Sequence, residues 1–442
     1  MSKFYKSPRI SSEFKDCSLQ LTFDCYNKCS FGCAYCFGLQ FALNNPACKK
    51  SPELGVVNVD SLSKVIKGEK PDNPYYRNFY KDRFVFHWGG LTDPFCYLER
   101  KMGKGLQLIK TLAELQYPTL FSTKGLSLFL EDKDYIKVFE KNSKYKNFAF
   151  QFSIITNRDD LSSLVEPNTP LSSERLKAMK RMSDLGYLTI LRLRPFIIGI
   201  SDIEIEELLT RSKEAGARGI SLEFFALDER VVPQLQKQLE TISKITGFDV
   251  HKYLKGTSPS SRGTYMRSNR DVKEPYMKRI YKKCMELGLN VSISDPDYKE
   301  LNFSGCCCGL FEEYPENPEL TNWSRGQLTY FLKELRKRYW LSKGKDNLLY
   351  FDDIRKNMFN NWADEPKYAS DSIKFWQSDY ARDNTGHIRE YIESWNNTRS
   401  PDNPYNYFNG KIKPVFVKDN KLVYQYVPSN YEKRWITEGL LK

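Results

Sequence analysis

The sequence predicts an α/β fold: a partial parallel barrel of six strand–helix units followed by a smaller, aromatic-rich α+β region. Three observations carry this. Short apolar or alternating runs, which read as strands, alternate about six times with helical stretches before residue 300. No internal repeat or low-complexity tract breaks that rhythm. From Leu301 onward the character changes, with six of the seven tryptophans and 26 aromatic residues, a share above the whole-chain 14%.

Taken in order, Ser18-Leu-Gln-Leu-Thr-Phe23 alternates and reads as the first strand. Lys49–Pro74 is polar and turn-rich, with a short helix expected at Asp60–Ile66. Arg83–Trp88 is the second strand and runs into Gly89-Gly90-Leu91-Thr92-Asp93-Pro94. Helical spacing over Gly103–Leu115 leads to a third strand, Pro118–Thr123, a helix over Asp132–Lys141 and a fourth strand, Phe148–Ile155. Ser172 is expected to cap a helix through Leu185, with Glu174 in its first turn and Gly186 beyond its end. A fifth strand (Leu188–Arg194), a helix (Ile203–Ala215) and a sixth strand (Gly219–Ala226) follow. A long helical and loop region then runs to Gly263, with main loops at Ser258–Arg262 and Glu313–Pro318. Between those loops come a helix over Glu274–Leu287, closed by Gly288, and a short last strand, Asn290–Ser294. In the tail, Ser324–Trp340 is amphipathic, with Leu328, Phe331, Leu332 and Leu335 on one face. Pro414–Val417 and Leu422–Val427 form a hairpin about Lys418-Asp-Asn-Lys421. The expected division is an N-terminal extension (1–17), the barrel (18–300) and a C-terminal cap or substrate region (301–442).

Length and composition bound the function. The chain of 442 residues can bury a large core. No run of about eighteen apolar residues is present, so no membrane span is expected. The N-terminal stretch is polar and basic, unlike a secretory signal. Eleven cysteines, unevenly clustered, suit a reducing cytoplasm and metal binding better than a disulfide framework. The net charge of +13 is concentrated: residues 1–300 hold 47 Lys/Arg against 36 Asp/Glu, and the tail 21 against 19. Such a bias favours an anionic partner, nucleic acid or nucleotide first, with a solvated basic surface as the plain alternative.

The chemistry centres on Cys29-Ser-Phe-Gly-Cys33-Ala-Tyr-Cys36, on the loop leaving the first strand. Three thiolates so spaced hold three irons of a 4Fe–4S cluster and leave the fourth iron open to another ligand. A zinc site completed by Cys25 is the alternative, although zinc ligands more often come as two separated Cys-x-x-Cys pairs. The following strand ends offer further groups. Gly89-Gly90 permits close backbone approach. Lys124, Ser153, Arg192 and Arg194 are placed to meet a carboxylate, each with a surface or core-edge role as the alternative. A second cluster, Cys306-Cys307-Cys308, lies between Gly305 and Gly309. In extended geometry Cys306 and Cys308 would face one way and Cys307 the other. An auxiliary iron–sulfur cluster, relay or hydrogen-donor thiols, and small core residues are its three readings, with Cys284, Cys17, Cys25 or Cys48 as further ligands for the first. His387 is one of three histidines and is not nominated. The tail's interleaved aromatic and basic residues suit either single-stranded nucleic acid or the core of a small cap.

The Cys-x3-Cys-x-aromatic-Cys loop after a first strand, with Tyr35 as the aromatic, resembles the radical S-adenosylmethionine (SAM) superfamily. That resemblance implies a 4Fe–4S cluster whose open iron chelates SAM. It also implies reductive cleavage of SAM to a 5′-deoxyadenosyl radical, which abstracts a substrate hydrogen. It places Gly89 and Gly90 at the SAM amino group, with Leu91 where the family often has Glu. It groups Tyr35, Lys124, Ser153, Arg192 and Arg194 as cofactor-binding, and implies an electron donor such as flavodoxin or ferredoxin. Thr92-Asp93-Pro94, Ser122-Thr123-Lys124, Phe152-Ser153 and Glu166-Pro-Asn-Thr169 before a helix are similar to the spore photoproduct lyase branch, which repairs a thymine dimer in DNA, and they add Asp93 to the site. The likeness runs from about Leu19 to Ile200 and, more loosely, to Gly309. The founding lyase keeps a hydrogen-donating Cys two residues before its Ser/Thr-Asp pair. This chain has Gly90 there and Cys96 three residues after Asp93, so Cys96 is the candidate donor and the founder's substrate does not transfer. The other readings are a radical SAM modifier of a peptide or small molecule with an auxiliary cluster, and a non-catalytic, metal-containing nucleic-acid-binding protein.

Overall fold

The computed structural model describes residues 9–10, 19, 21–44, 54–69, 80, 83–258, 265–302, 306–310, 316–322, 328–352, 394–400, 403–408 and 410–440. Cys17, Cys48, His387, the Ser258–Arg262 and Glu313–Pro318 loops in large part, and the start of the expected Ser324–Trp340 helix lie outside them. The chain divides into two compact units, Thr22–Val291 and Ser292–Lys442, the second also taking Arg9–Leu21.

In the first unit, strands and helices alternate as expected. Strand β1 (Leu21–Phe23) leads through the cysteine loop to α1 (Phe37–Asn44) and α2 (Val59–Ile66). Then come β2 (Phe86–Trp88), α3 (Tyr97–Met102), α4 (Lys104–Glu114), β3 (Thr119–Thr123), α5 (Lys133–Asn142) and β4 (Phe148–Ser153). Helices α6 (Asp159–Val165) and α7 (Ser172–Asp184) precede β5 (Leu188–Phe196), α8 (Ile205–Glu214) and β6 (Gly219–Phe224). After an antiparallel ribbon, β7 (Ala226–Asp228) with β8 (Tyr265–Arg267), into which α9 (Gln236–Thr246) and α10 (Val250–Thr257) are inserted, α11 (Arg270–Leu287) leads to β9 (Asn290–Ile293). Seven of these strands lie side by side in the order β1-β2-β3-β4-β5-β6-β9, and β2 through β6 pair in parallel. This is the expected partial parallel barrel.

Helices α1 and α6 have no counterpart in the expected elements, and other details differ as well. Helix α7 starts at Ser172 with Leu171 at the cap position, and Glu174 Oε2 accepts the Leu171 N–H at 2.7 Å. The capping box thus works through its acidic half alone. Helix α3 and strands β7 and β8 are too short for periodicity to reveal.

Alternation along the strands sorts the sheet into two faces. One face is aromatic: Phe23 and Trp88 centroids lie 5.5 Å apart, Trp88 and Phe121 5.5 Å, and Phe121 stacks on Phe150 at 5.1 Å. The register places the intervening residues in polar rows, Ser122 beside Gln151, and Ser153 beside Arg192, which in turn lies beside Ser221. His87 Nε2 lies 2.8 Å from Ser122 Oγ, which donates to Gln151 Oε1 at 2.6 Å.

In the second unit, β10 (Leu348–Leu349), β11 (Ile412–Lys418) and β12 (Lys421–Tyr426) form an antiparallel sheet in the order β10-β12-β11. Asp419 and Asn420 both take positive φ, the conformation a two-residue hairpin turn requires. Helix α12 (Pro318–Asn322), α13 (Leu328–Leu341) with Leu332 and Leu335 buried, α14 (Pro404–Tyr407) and α15 (Asn430–Thr437) complete it. Trp395 packs edge-on against Phe351 and Tyr424, so these tail aromatics build a core.

Glu99 is the polar linchpin beneath the first unit's loops. Its buried carboxylate accepts Tyr26 Oη at 2.5 Å, the Tyr135 hydroxyl, and the N–H groups of Gly105 (2.7 Å) and Leu106 (2.9 Å) at the start of α4. We expect Glu99→Ala, which strips all four donors of their acceptor, to cost about 3 kcal/mol. Urea unfolding measures it, and a loss below about 1 kcal/mol would rule out this role.

Candidate active site

The cysteine loop emerges from the C-terminal end of β1, where a parallel barrel gathers its functional groups. Asp24, the first residue after β1, ties it to the glycine loop after β2. Its Oδ1 accepts the N–H groups of Leu91 (3.2 Å) and Thr92 (3.0 Å). Asp93 ties the glycine loop onward to β3: Oδ1 accepts Thr123 Oγ1 at 2.7 Å and Oδ2 accepts Lys124 N at 2.6 Å. Burial raises the Asp93 pKa against these hydrogen bonds. Both carboxylates therefore act by holding three strand ends together.

Gly89 has φ +103°, and a Cβ there would lie 2.2 Å from the Ser122 carbonyl oxygen, so only glycine fits. Gly38, in the first turn of α1, has its own reason: a Cβ would lie 2.3 Å from the Leu91 carbonyl. The helix after the cysteines thus rests on the backbone of the glycine loop. Further along α1, Gln40 clasps β7, accepting Asp228 N at 3.0 Å and donating to Ala226 O at 3.5 Å. Asn44 adds a bond to Asp228 Oδ2 at 2.5 Å.

The loop's middle is braced from below. Tyr35 is buried and its hydroxyl donates to Glu166 Oε1. Glu166 is itself paired with Arg175, with Oε2 2.6 Å from Nη1 and both side chains fully buried. Arg175 also donates to the carbonyls of Pro170 (2.8 Å) and Ser153 (2.9 Å). Ala34 N donates to Val165 O at 2.9 Å, closing the same seam through the backbone. Lys124, half-buried, lies 5.5 Å over the Tyr35 ring. Burial pulls its ammonium's pKa down, but Cys33, Glu166 and Asp93 outweigh this and the net shift is upward. Lys124 thus stays cationic beside the cysteine loop.

The three loop thiols are separately engaged in this conformation. Burial pushes Cys33 up to about 12, with Lys124 pulling the other way. Interaction with Cys96 raises the pKa of Cys29 and draws that of the buried Cys96 down to about 7. Cys36 Sγ accepts the Leu39 N–H at 3.3 Å, at the start of α1. Among the described residues, no group of three or more His, Cys, Asp or Glu side chains is gathered to hold a metal ion. In donor chemistry the trio suits a cluster: three thiols, none in a disulfide, on one strand-to-helix loop. Cys25, the fourth ligand of the zinc alternative, is buried, and that burial raises its pKa well above the usual thiol value.

Of the remaining candidates, Ser153 and Arg192 are brought side by side by strand register. Arg194 follows on β5, half-buried like Arg192. Gly90 would place a Cβ 3.3 Å from Thr22 Oγ1. In the second unit, Cys306–Cys308 form a turn rather than an extended segment, which corrects the expected alternation. Cys307 and Cys308 Sγ lie 3.6 Å apart, while Cys306 Sγ donates to Leu310 O at 2.8 Å. Cys284 is buried in α11, and burial raises its pKa.

Sequence reasoning missed Asp24, Gln40, His87 and Arg175. Arg175 alone left a signal, since it falls on the face of α7 that carries Leu176, Met179 and Met182 into the core.

No protein-family model and no curated protein matches the chain. Among solved structures it is similar to a spore photoproduct lyase variant (12% identity, TM-score 0.49, covering 66% of this chain and 79% of that one). A second likeness is to spore photoproduct lyase complexed with dinucleoside spore photoproduct (15% identity, TM-score 0.46, 66% and 79%). A third is to Streptococcus suis SuiB bound to S-adenosylmethionine (12% identity, TM-score 0.35, 62% and 49%).

Replacing Arg175 by Met should cost about 3–5 kcal/mol, because it strands a buried carboxylate. The double variant Glu166→Leu/Arg175→Met should recover much of that loss. Denaturant unfolding of the three proteins gives the comparison, and a single variant within 1 kcal/mol of the parent (about a fivefold change in folding equilibrium) would contradict the pairing.

Proposed function

We propose that this chain is a radical SAM enzyme. Cys29, Cys33 and Cys36 would hold a 4Fe–4S cluster, and the site would act on a nucleic-acid or nucleotide substrate. The observation that carries the reading is the placement of the three-thiol loop. It leaves the first strand of a parallel half-barrel, pinned to the next strand ends by Asp24 and Asp93 and braced by the Tyr35–Glu166–Arg175 chain. When bound, such a cluster with SAM supplies one-electron reductive cleavage and a carbon-centred radical that abstracts hydrogen.

The chain's own residues divide the remaining work. Gly89 and Gly90 bring bare backbone to the strand end, where a SAM amino group is to be held. Lys124 keeps a positive charge beside the loop, and Ser153 with Arg192 and Arg194 offers donors to a carboxylate from β4 and β5. Cys96, buried at the N-terminal cap of α3, is the candidate hydrogen-donating thiol. The buried seam of Glu166 and Arg175 beneath Tyr35 keeps that side of the loop dry. Nucleic acid is favoured by the basic excess of residues 1–300, 47 Lys/Arg against 36 Asp/Glu.

Anaerobic reconstitution with iron and sulfide should load about four irons per chain, and dithionite with SAM should yield 5′-deoxyadenosine. The Cys29→Ala/Cys33→Ala/Cys36→Ala variant should lose both. Zinc in place of iron, or 5′-deoxyadenosine formation that survives the triple substitution, would overturn the assignment. For the substrate, deuterium should pass into 5′-deoxyadenosine from labelled DNA, RNA or nucleotide. Transfer from peptides alone, or binding to DNA that is absent or insensitive to salt, would count against nucleic acid.

A further inference from the structure

We infer that Cys307 and Cys308 are a vicinal dithiol that exchanges with small disulfides: a two-electron redox site in the second unit, independent of the proposed SAM chemistry. Three consecutive cysteines alone do not say which would pair. The turn decides it, because the Sγ atoms of Cys307 and Cys308 are in contact at 3.6 Å. Cys306 is held apart: it is fully buried and its Sγ donates to Leu310 O at 2.8 Å. Gly309 closes the turn with φ +81°, a conformation that tightens the chain just beyond the pair. Exposure differs in a useful way, since Cys307 is only half-buried and Cys308 is buried. Cys307 is therefore the entry thiol and Cys308 the resolving one.

Adjacency also predicts the character of the bond. Neighbouring Cα atoms across a trans peptide are about 3.8 Å apart, shorter than the span of about 4.4–6.8 Å usual for disulfides. A Cys307–Cys308 disulfide would therefore be strained and readily reduced, which suits redox exchange and not a structural staple. In the forward step the Cys307 thiolate attacks one sulfur of a small disulfide such as oxidised glutathione and expels one glutathione thiolate. Cys308 then displaces the second glutathione from the mixed disulfide, forming the Cys307–Cys308 bond. The two protons leave the protein thiols and are taken up by the two glutathione thiolates. The protein is oxidised by two electrons and the glutathione disulfide is reduced by two.

The test uses the reduced full-length chain under anaerobic conditions, treated with oxidised glutathione, acid-quenched, alkylated and peptide-mapped. The peptide bearing the three cysteines should carry one alkyl group, on Cys306, and weigh two hydrogens less at the other two. Dithiothreitol should restore three alkyl groups, and phenylarsine oxide should protect Cys307 and Cys308 together. In Cys308→Ser, glutathione should remain on Cys307. Three alkyl groups after oxidation, a bond that includes Cys306, or glutathione retained on the parent chain would overturn the pairing. Iron analysis of the reconstituted Cys307→Ser/Cys308→Ser chain separates this site from an auxiliary cluster. Unchanged iron supports the dithiol, and loss of about four irons per chain would refute it.

Discussion

The buried ion pair between Glu166 and Arg175 is the constraint on which the cysteine loop depends. Both side chains are wholly removed from water, so each is held only by the other and by the hydrogen bonds around them. Arg175 reaches from α7 to the carbonyl that ends β4, and Glu166 takes the Tyr35 hydroxyl from within the three-thiol stretch. A loop whose own backbone closes little more than a single turn, Cys36 N to Cys33 O, thereby inherits the rigidity of the barrel. Such an arrangement tolerates a strained, glycine-rich neighbourhood above it because the cost of ordering is met below.

The acidic groups around the loop work in the same way. Asp24, Asp93 and Glu99 each accept several backbone or hydroxyl donors, so their charge is used to gather strand ends and helix starts. None of the three is arranged as a general acid or base. What remains for chemistry is thiol, backbone and cation. The thiols of Cys29, Cys33 and Cys36, the bare Gly89-Gly90 backbone and the Lys124 ammonium sit along consecutive strand ends. That division between carboxylates that build and thiols proposed to hold a cluster is the site's main chemical signature.

Several parts of this were legible in the residue order. Short apolar or alternating runs located the barrel strands to within two or three residues, because strands buried on both faces read as compact apolar stretches bounded by turn residues. Glycines after helices and the Lys418–Lys421 turn were equally readable, since their φ demands are local. Helix α3 and the β7–β8 ribbon were not. They are too short to show a period, and their partners are remote in sequence: Tyr26 and Tyr135 for Glu99, and Gln40 for β7. Ser172 was misplaced by one position because a cap is defined by backbone angles as much as by side-chain type.

The sequence by itself determined the thiol spacing, the strand rhythm and the concentration of positive charge, since each is a property of neighbouring residues or of counts. The tertiary structure alone decided which groups those thiols meet. Cys29 against Cys96, Cys33 beneath Lys124, and Cys307 turned toward Cys308 all arise from loops whose course is set by distant hydrogen bonds or tight turns. The Glu166–Arg175 pair belongs to the same class. The two lie nine positions apart, but their joint burial and their reach to Tyr35 exist only once β1, β4 and α7 are packed.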